Sequence, residues 1–181
     1  MRKLALDGAP AGSVFGADVS QDLVDCGYEY FRDGGGTPKF MFFIGDILNP
    51  EDPVYATIEG QFDIVWTAMV YHLWDYKTQL AASITTVKLL KPVPGSILMG
   101  WQLGATPAVE VARNLTEERK EHRTMYRHDG TSFKRLWEEV GEATGTKWKV
   151  DASNWVFPNN GDRISVNGSR ADVITFSVTR L

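Results

Sequence analysis

Two aspartates stand at matched places in the chain: Phe15-Gly16-Ala17-Asp18-Val19 and Phe43-Ile44-Gly45-Asp46-Ile47. Each follows a short apolar run and precedes an aliphatic residue. An acid at the end of a buried strand can accept both hydroxyl protons of a ribose. A second acid one strand further out can take the exocyclic amine of adenine, with Ile47 against the ring. Asp18, Val19, Asp46 and Ile47 are thus the candidate nucleoside-binding residues. The plainer alternative is that both aspartates serve as turn or N-cap residues, which aspartate favours strongly.

Three histidines are available for proton chemistry. His72 follows the third apolar strand run and is the candidate for orienting an acceptor, against a polar loop histidine or core filler. His128 precedes an amphipathic stretch and, with Gln102, is a candidate substrate-pocket residue, against the plainer reading of capping or turn packing. His122 lies in a charged run and reads as solvated. Trp66, Tyr71, Trp74 and Trp101 gather near the same strand ends, where one or two could face a cation or an apolar ring. No metal-ligand pattern is present.

Positioning these groups requires strands alternating with helices. Met1–Gly8 reads as the end of a helix, Ser13–Asp18 as a strand, and Ser20 as the N-cap of a helix with Leu23, Val24, Gly27, Tyr28 and Phe31 on one face. Lys39–Ile44 is a second strand, followed by a Pro-rich connection from Asn49 to Gly60. Phe62–Ala68 is a third strand. Tyr76 to Leu90 is helical, with Leu80, Ile84 and Val87 inward, and Lys91-Pro92-Val93-Pro94-Gly95 stops it. Ser96–Trp101 is a fourth strand. Gly104–Gly130 is polar, with a solvated helix face at Glu117–Glu121, and is a candidate lid, its composition fitting an ordinary surface excursion equally well. A helix from about Thr131 places Phe133, Leu136, Trp137 and Val140 inward. Trp148–Ala152 and Ala171–Thr179 close the chain, with turns at Pro158–Asp162 and Asn167-Gly168. This order predicts an α/β fold with an open, mostly parallel sheet flanked by helices, whose ligands sit beyond the strand carboxyl ends.

Composition narrows the field. The chain has 181 residues, 43% hydrophobic, with 19 basic against 23 acidic residues and a net charge of −4. That balance argues against nucleic acid and against an anionic membrane surface. Cys26 is the only cysteine, which excludes an internal disulfide. No secretory signal or membrane-length apolar run is seen, so a cytoplasmic protein is expected. The phosphate loop, G-x-S-x-G, H-E-x-x-H and G-x-G-x-x-G patterns are all absent. The last of these absences weighs against a nicotinamide-dependent enzyme.

Several pieces in order carry a family resemblance: Phe15-Gly16-Ala17-Asp18, Gly45-Asp46-Ile47-Leu48, Phe62-Asp63-Ile64-Val65 with His72-Leu73, and Leu89-Leu90-Lys91-Pro92 through Pro94-Gly95-Ser96. With these the chain resembles class I S-adenosylmethionine-dependent methyltransferases. Gly100-x-Gln102-x-Gly104, Tyr126-Arg127-His128-Asp129 and Ser132–Gly141 make it similar to the fungal methyltransferases of meroterpenoid biosynthesis. The resemblance implies S-adenosyl-L-methionine as cofactor and a small-molecule acceptor. It further implies O-methylation of a carboxyl group on a polyketide–terpenoid intermediate. Such a family opens with a strand and a Gly-rich turn, and Met1-Arg2-Lys3-Leu4 matches the end of the helix after that turn. The expectation is therefore a single methyltransferase-like domain over 1–181, Rossmann-like but lacking the first strand and Gly-rich turn. The alternative expectation is a truncated, inactive remnant or a homodimer scaffold.

Overall fold

The computed structural model describes residues 1–10, 12–33, 41–112, 124–155 and 165–181. They form two compact units, Met1–Ile58 and Glu59–Leu181.

The first unit holds α1 (Arg2–Leu6), β1 (Phe15–Asp18), α2 (Gln21–Phe31), β2 (Met41–Ile44) and α3 (Pro53–Thr57). β1 and β2 pair in parallel, with Phe15 opposite Met41 and Asp18 opposite Ile44. Ser20 caps α2 as its sequence predicts, its hydroxyl accepting from the Leu23 N–H at 3.3 Å. The expected apolar face of α2 is only partly used. Val24 is buried, whereas Leu23 is 65% and Phe31 55% exposed, because the two-stranded sheet of this unit covers a narrow strip of the helix. Phe31 instead receives the Arg2 guanidinium 4.0 Å from its ring centroid. Arg2 also pairs with Asp33 at 2.6 Å and donates to the Gly27 carbonyl at 3.1 Å, tying α1 to α2.

The second unit contains β3 (Ile64–Ala68), a 3-10 turn (Tyr71–Leu73), α4 (Tyr76–Leu89), β4 (Ile97–Thr106), β5 (Val109–Ala112), β6 (Thr124–Arg127), α5 (Gly130–Thr144), β7 (Trp148–Trp155), β8 (Ser165–Val166) and β9 (Ser169–Arg180). The sheet order is β3-β4-β9-β7, with β8 on β9 and β5–β6 as a separate hairpin. β3 and β4 are parallel, but β9 runs antiparallel to β4, β7 and β8. The mostly parallel sheet expected from the sequence is corrected accordingly. The long final strand returns from the β8 turn, where Asn167 and Gly168 both take positive φ (50° and 80°), and slots between β4 and β7.

Helix α5 matches its predicted pattern, with Phe133, Leu136, Trp137 and Val140 buried against the sheet. Phe133 stacks on Phe176 of β9 at 4.5 Å. Helix α4 differs from expectation. Its buried face is Gln79, Ala82, Ser83, Thr86, Val87 and Leu89, while Leu80 and Ile84 are half-buried. Small and hydroxylated side chains let this helix seat Tyr71, whose hydroxyl meets Thr86 Oγ1 at 2.7 Å. Two further differences come from elements too short for periodicity to declare. The Asn49–Gly60 connection contains α3, started by Asp52 and Pro53, and the Gly104–Gly130 segment contains the end of β4 and the β5–β6 hairpin. The proposed helix face at 117–121, His122 and the turn at 158–162 lie outside the described residues.

Candidate functional site

Asp18 ends β1 and Asp46 lies just past the end of β2, so the first unit brings both acids to the same end of two adjacent parallel strands. Each carboxylate already serves its own turn. Asp18 Oδ1 accepts from Ser20 N–H at 2.9 Å, and Asp46 Oδ1 accepts from Leu48 N–H at 2.9 Å. The plainer reading of these aspartates is thus correct as far as one oxygen goes. The Oδ2 atoms accept no hydrogen bond from the described residues, which leaves each acid one oxygen for a ligand. Val19 is 67% exposed and Ile47 half-buried beside them. This donor set fits an adenosine, with acceptors for hydroxyls and amine and aliphatic surface alongside.

The Asp46 turn is held from behind by α3. Asp52 accepts from the Asp46 N–H at 3.0 Å through Oδ2 and from Val54 N–H at 3.0 Å through Oδ1, and Tyr55 donates to the Gly45 carbonyl at 3.2 Å. Burial, reinforced by Asp52 and Asp46, pushes the Tyr55 hydroxyl up to about 12, so it stays a donor. A Cβ on Gly45 would lie 2.2 Å from Val54 Cγ1, which explains the glycine before Asp46. Asp52 and Tyr55 support the site but lack any signal beyond an Asp-Pro helix start.

The second unit places the remaining candidates. Just past the end of β3, Met69 has a φ of 58°, unusual for a side chain this large, which turns the chain into the 3-10 turn carrying His72. Met69 N–H bonds the Trp101 carbonyl at 2.9 Å, fixing that turn to β4. His72 is buried there, as is Tyr71, whose hydroxyl burial holds up at about 12. Of the predicted aromatics, Tyr71 and Trp74 meet at 6.0 Å, whereas Trp66 points out of β3 and is 60% exposed. Trp101 is half-buried on β4.

Gln79, which the sequence reading passed over, joins the turn to β6. Its fully buried amide donates to the Trp74 carbonyl at 2.9 Å and to the Tyr126 carbonyl at 2.8 Å, and Tyr126 N–H also bonds Trp74 O at 2.8 Å. Gln102 is buried on β4 opposite Ile174, and its Nε2 has no hydrogen-bond partner among the described residues. Gly104, two residues on, is required by crowding. A Cβ there would meet His128 O at 2.7 Å and Asp172 Oδ1 at 2.8 Å.

His128 is fully buried among rings, with Tyr126 at 4.8 Å, Phe133 at 5.5 Å and Tyr76 at 5.7 Å. Its Nδ1 lies 2.9 Å from Ser132 Oγ, and its Nε2 is buried without a partner among the described residues. Asp129 caps α5 by accepting from Ser132 N–H at 2.8 Å. Behind them, the buried Asp172 accepts from Thr106 Oγ1 at 2.6 Å and Asn154 Nδ2 at 2.8 Å, while Asn154 Oδ1 accepts from Gly130 N–H at 2.8 Å. This network fixes the start of α5 to β4, β7 and β9.

Burial pushes His128 from 6.5 down to about 3, against an opposing pull from Asp129. It is neutral at physiological pH and too weak a base for proton abstraction; a neutral ring can still orient a ligand. In the unfolded chain the imidazole regains an ordinary pKa and binds a proton that the folded state refuses. The stability tied to this residue is therefore complete above about pH 6.5 and is lost as pH falls below that, at up to about 1.4 kcal/mol per unit. Denaturant melts at pH 7 and pH 5 are expected to differ by roughly 2 kcal/mol more in the native protein than in His128→Gln. Equal pH slopes for the two proteins would show that the imidazole is not buried neutral.

No family model matches the chain. The chain is 38% identical over 185 aligned positions, covering all of its own length and 50% of the relative, to the O-methyltransferase atr3 of Stereocaulon alpinum. It is 32% identical over 159 positions, 88% of its length and 54% of the relative, to the methyltransferase ausD of Penicillium brasilianum. Its fold matches the 1,6-didemethyltoxoflavin-N1-methyltransferase of Burkholderia thailandensis, solved with bound 1,6-didemethyltoxoflavin and S-adenosylhomocysteine. The TM-score is 0.56 at 11% identity, over 93% of this chain and 61% of that one. The chain belongs to the class I S-adenosylmethionine-dependent methyltransferases and is related to those of fungal secondary metabolism. It spans about half the length of the curated relatives it matches.

Proposed function

We propose that this chain is a single methyltransferase-like domain that binds S-adenosyl-L-methionine and O-methylates the carboxyl group of a polyketide–terpenoid intermediate. The observation that carries the cofactor reading is the pair of strand-terminal acids, Asp18 and Asp46, each with one oxygen left for a ligand. Asp18 would accept the ribose hydroxyls and Asp46 the adenine amine, with Ile47 against the base and Val19 at the sugar. When bound, the cofactor supplies an electrophilic methyl group.

What remains for the protein is placement and exclusion of water. A carboxylic acid has a pKa of about 4 and arrives ionised, so it needs no general base. That requirement suits a second unit whose His128 is held neutral and buried. His72 orients the acceptor, and Gln102 and His128 contribute the buried polar atoms Nε2 to its pocket.

The test is transfer of labelled methyl from the cofactor to a farnesylated dihydroxybenzoic acid, with the product checked by saponification. A base-labile ester is the expected product. Label in a base-stable phenol ether would reject carboxyl transfer. A protein that neither binds cofactor nor transfers methyl would favour the second reading, a non-catalytic scaffold that associates with another copy. The exposed Ile64 and Trp66 of β3, a strand paired only with β4 among the described residues, support that alternative.

A further inference from the structure

Arg127 is the unusual cation of the second unit. It sits at the end of β6, next to Tyr126, whose backbone Gln79 and Trp74 tie to the turn carrying His72. The residue is half-buried, its Nε is buried without an acceptor, and no carboxylate lies within ion-pair distance among the described residues. Both neighbouring acids are accounted for. Asp129 is committed to Ser132 N–H at 2.8 Å and Ala108 N–H at 3.1 Å. Glu110 lies opposite Tyr126 in the hairpin register, whereas Arg127 lies opposite Val109. Register partners share a face of the ribbon and alternate residues oppose it. Arg127 therefore shares its face with Val109, Val111 and Met125, and Glu110 lies on the other.

A guanidinium taken partly out of water, with its buried Nε–H lacking an acceptor among the described residues, carries a desolvation cost that a bound anion would offset. Burial pulls its pKa down and no neighbouring carboxylate raises it again. Its planar fork matches a carboxylate, and the apolar residues beside it suit a hydrocarbon body.

We propose that Arg127 receives the carboxylate of the acidic acceptor, selecting free acids over their esters. This rests on the carboxyl-methylation reading above. Arg127 would hold one carboxylate oxygen and leave the other free as the nucleophile; a bound cofactor would supply the methyl group and keep the electron pair of its S–C bond on sulfur, and no proton transfer is required. The ester product carries no charge for Arg127, which favours its release.

The experiment titrates the full chain with a farnesylated dihydroxybenzoic acid and, separately, with its methyl ester. The side-chain Nε–H resonance of Arg127 is followed by nitrogen-15 NMR alongside affinity by calorimetry. The acid is expected to shift that resonance and the ester to leave it in place. Arg127→Met should weaken acid binding roughly ten- to hundredfold with the ester unaffected, and Arg127→Lys should recover part of the loss. Removing an unpaired half-buried charge should not lower the melting temperature, which separates this role from a structural one. An unmoved resonance, or acid affinity unchanged in Arg127→Met, overturns the proposal. Ester formation at an unchanged KM in Arg127→Met also overturns it while leaving the methylation reading intact. An acid that binds through Arg127 but is never methylated supports the carboxylate site and rejects the reaction.

Discussion

With Asp18 and Asp46 both changed to asparagine, affinity for S-adenosylmethionine is expected to fall by at least about a hundredfold in calorimetry, with the fold intact. Asparagine keeps a carbonyl oxygen where Oδ1 now accepts Ser20 or Leu48 N–H, so both turns survive. It replaces Oδ2 by an NH2 donor and removes the charge. Hydrogen bonds to a charged acceptor contribute about 1.5–3 kcal/mol each, so losing two gives the stated factor or more. Cofactor affinity within about threefold of the native protein would mean that these acids serve only their turns. The cofactor assignment would then be withdrawn.

The largest effect on stability is expected from Gly100→Ala. Gly100 lies opposite Thr67 in the parallel pairing of β3 and β4, and a Cβ there would come 1.8 Å from the Thr67 carbonyl oxygen and 3.0 Å from the Phe176 ring. The nearer obstacle is backbone in a paired strand, which cannot swing aside as a side chain can. Relief requires β3 to separate from β4, at a cost of about 3 kcal/mol or more and a melting temperature lower by on the order of 10 °C. The same displacement would move Met69, which bonds Trp101 next to Gly100, and with it the His72 turn. An alanine variant that melts within a degree or two of the native protein would show that the strands are not this close.

Much of this architecture was written in local signals. Ser20 marks a helix start, Asn167-Gly168 marks a turn, and the spacing of Phe133, Leu136, Trp137 and Val140 marks a buried helix face. Asp18 and Asp46 were legible because an acid closing an apolar run is a short-range pattern. Features that depend on distant segments were not. The antiparallel insertion of β9 is a choice of partners, and β9 reads the same in either orientation. The buried face of α4 is polar and small because Tyr71 and α5 press on it, which periodicity of apolar residues overlooks. Gln79 and Asp172 look like surface residues until the backbone carbonyls and amides they satisfy are in place. The isolation of Arg127 has no sequence signal, since it is defined by the acids that fail to reach it.

Ser132 draws two of these features into one thermodynamic unit. Its hydroxyl accepts from the Asp129 N–H at 3.0 Å at the start of α5 and sits 2.9 Å from His128 Nδ1. The aim of the imidazole is thereby inherited from helix nucleation, and the two cannot vary independently. Fraying of the first turn would release the ring, and a ligand that grips the ring would slow hydrogen exchange in that turn. Ser132, one helical turn after His128, thus sets how rigidly the imidazole is held.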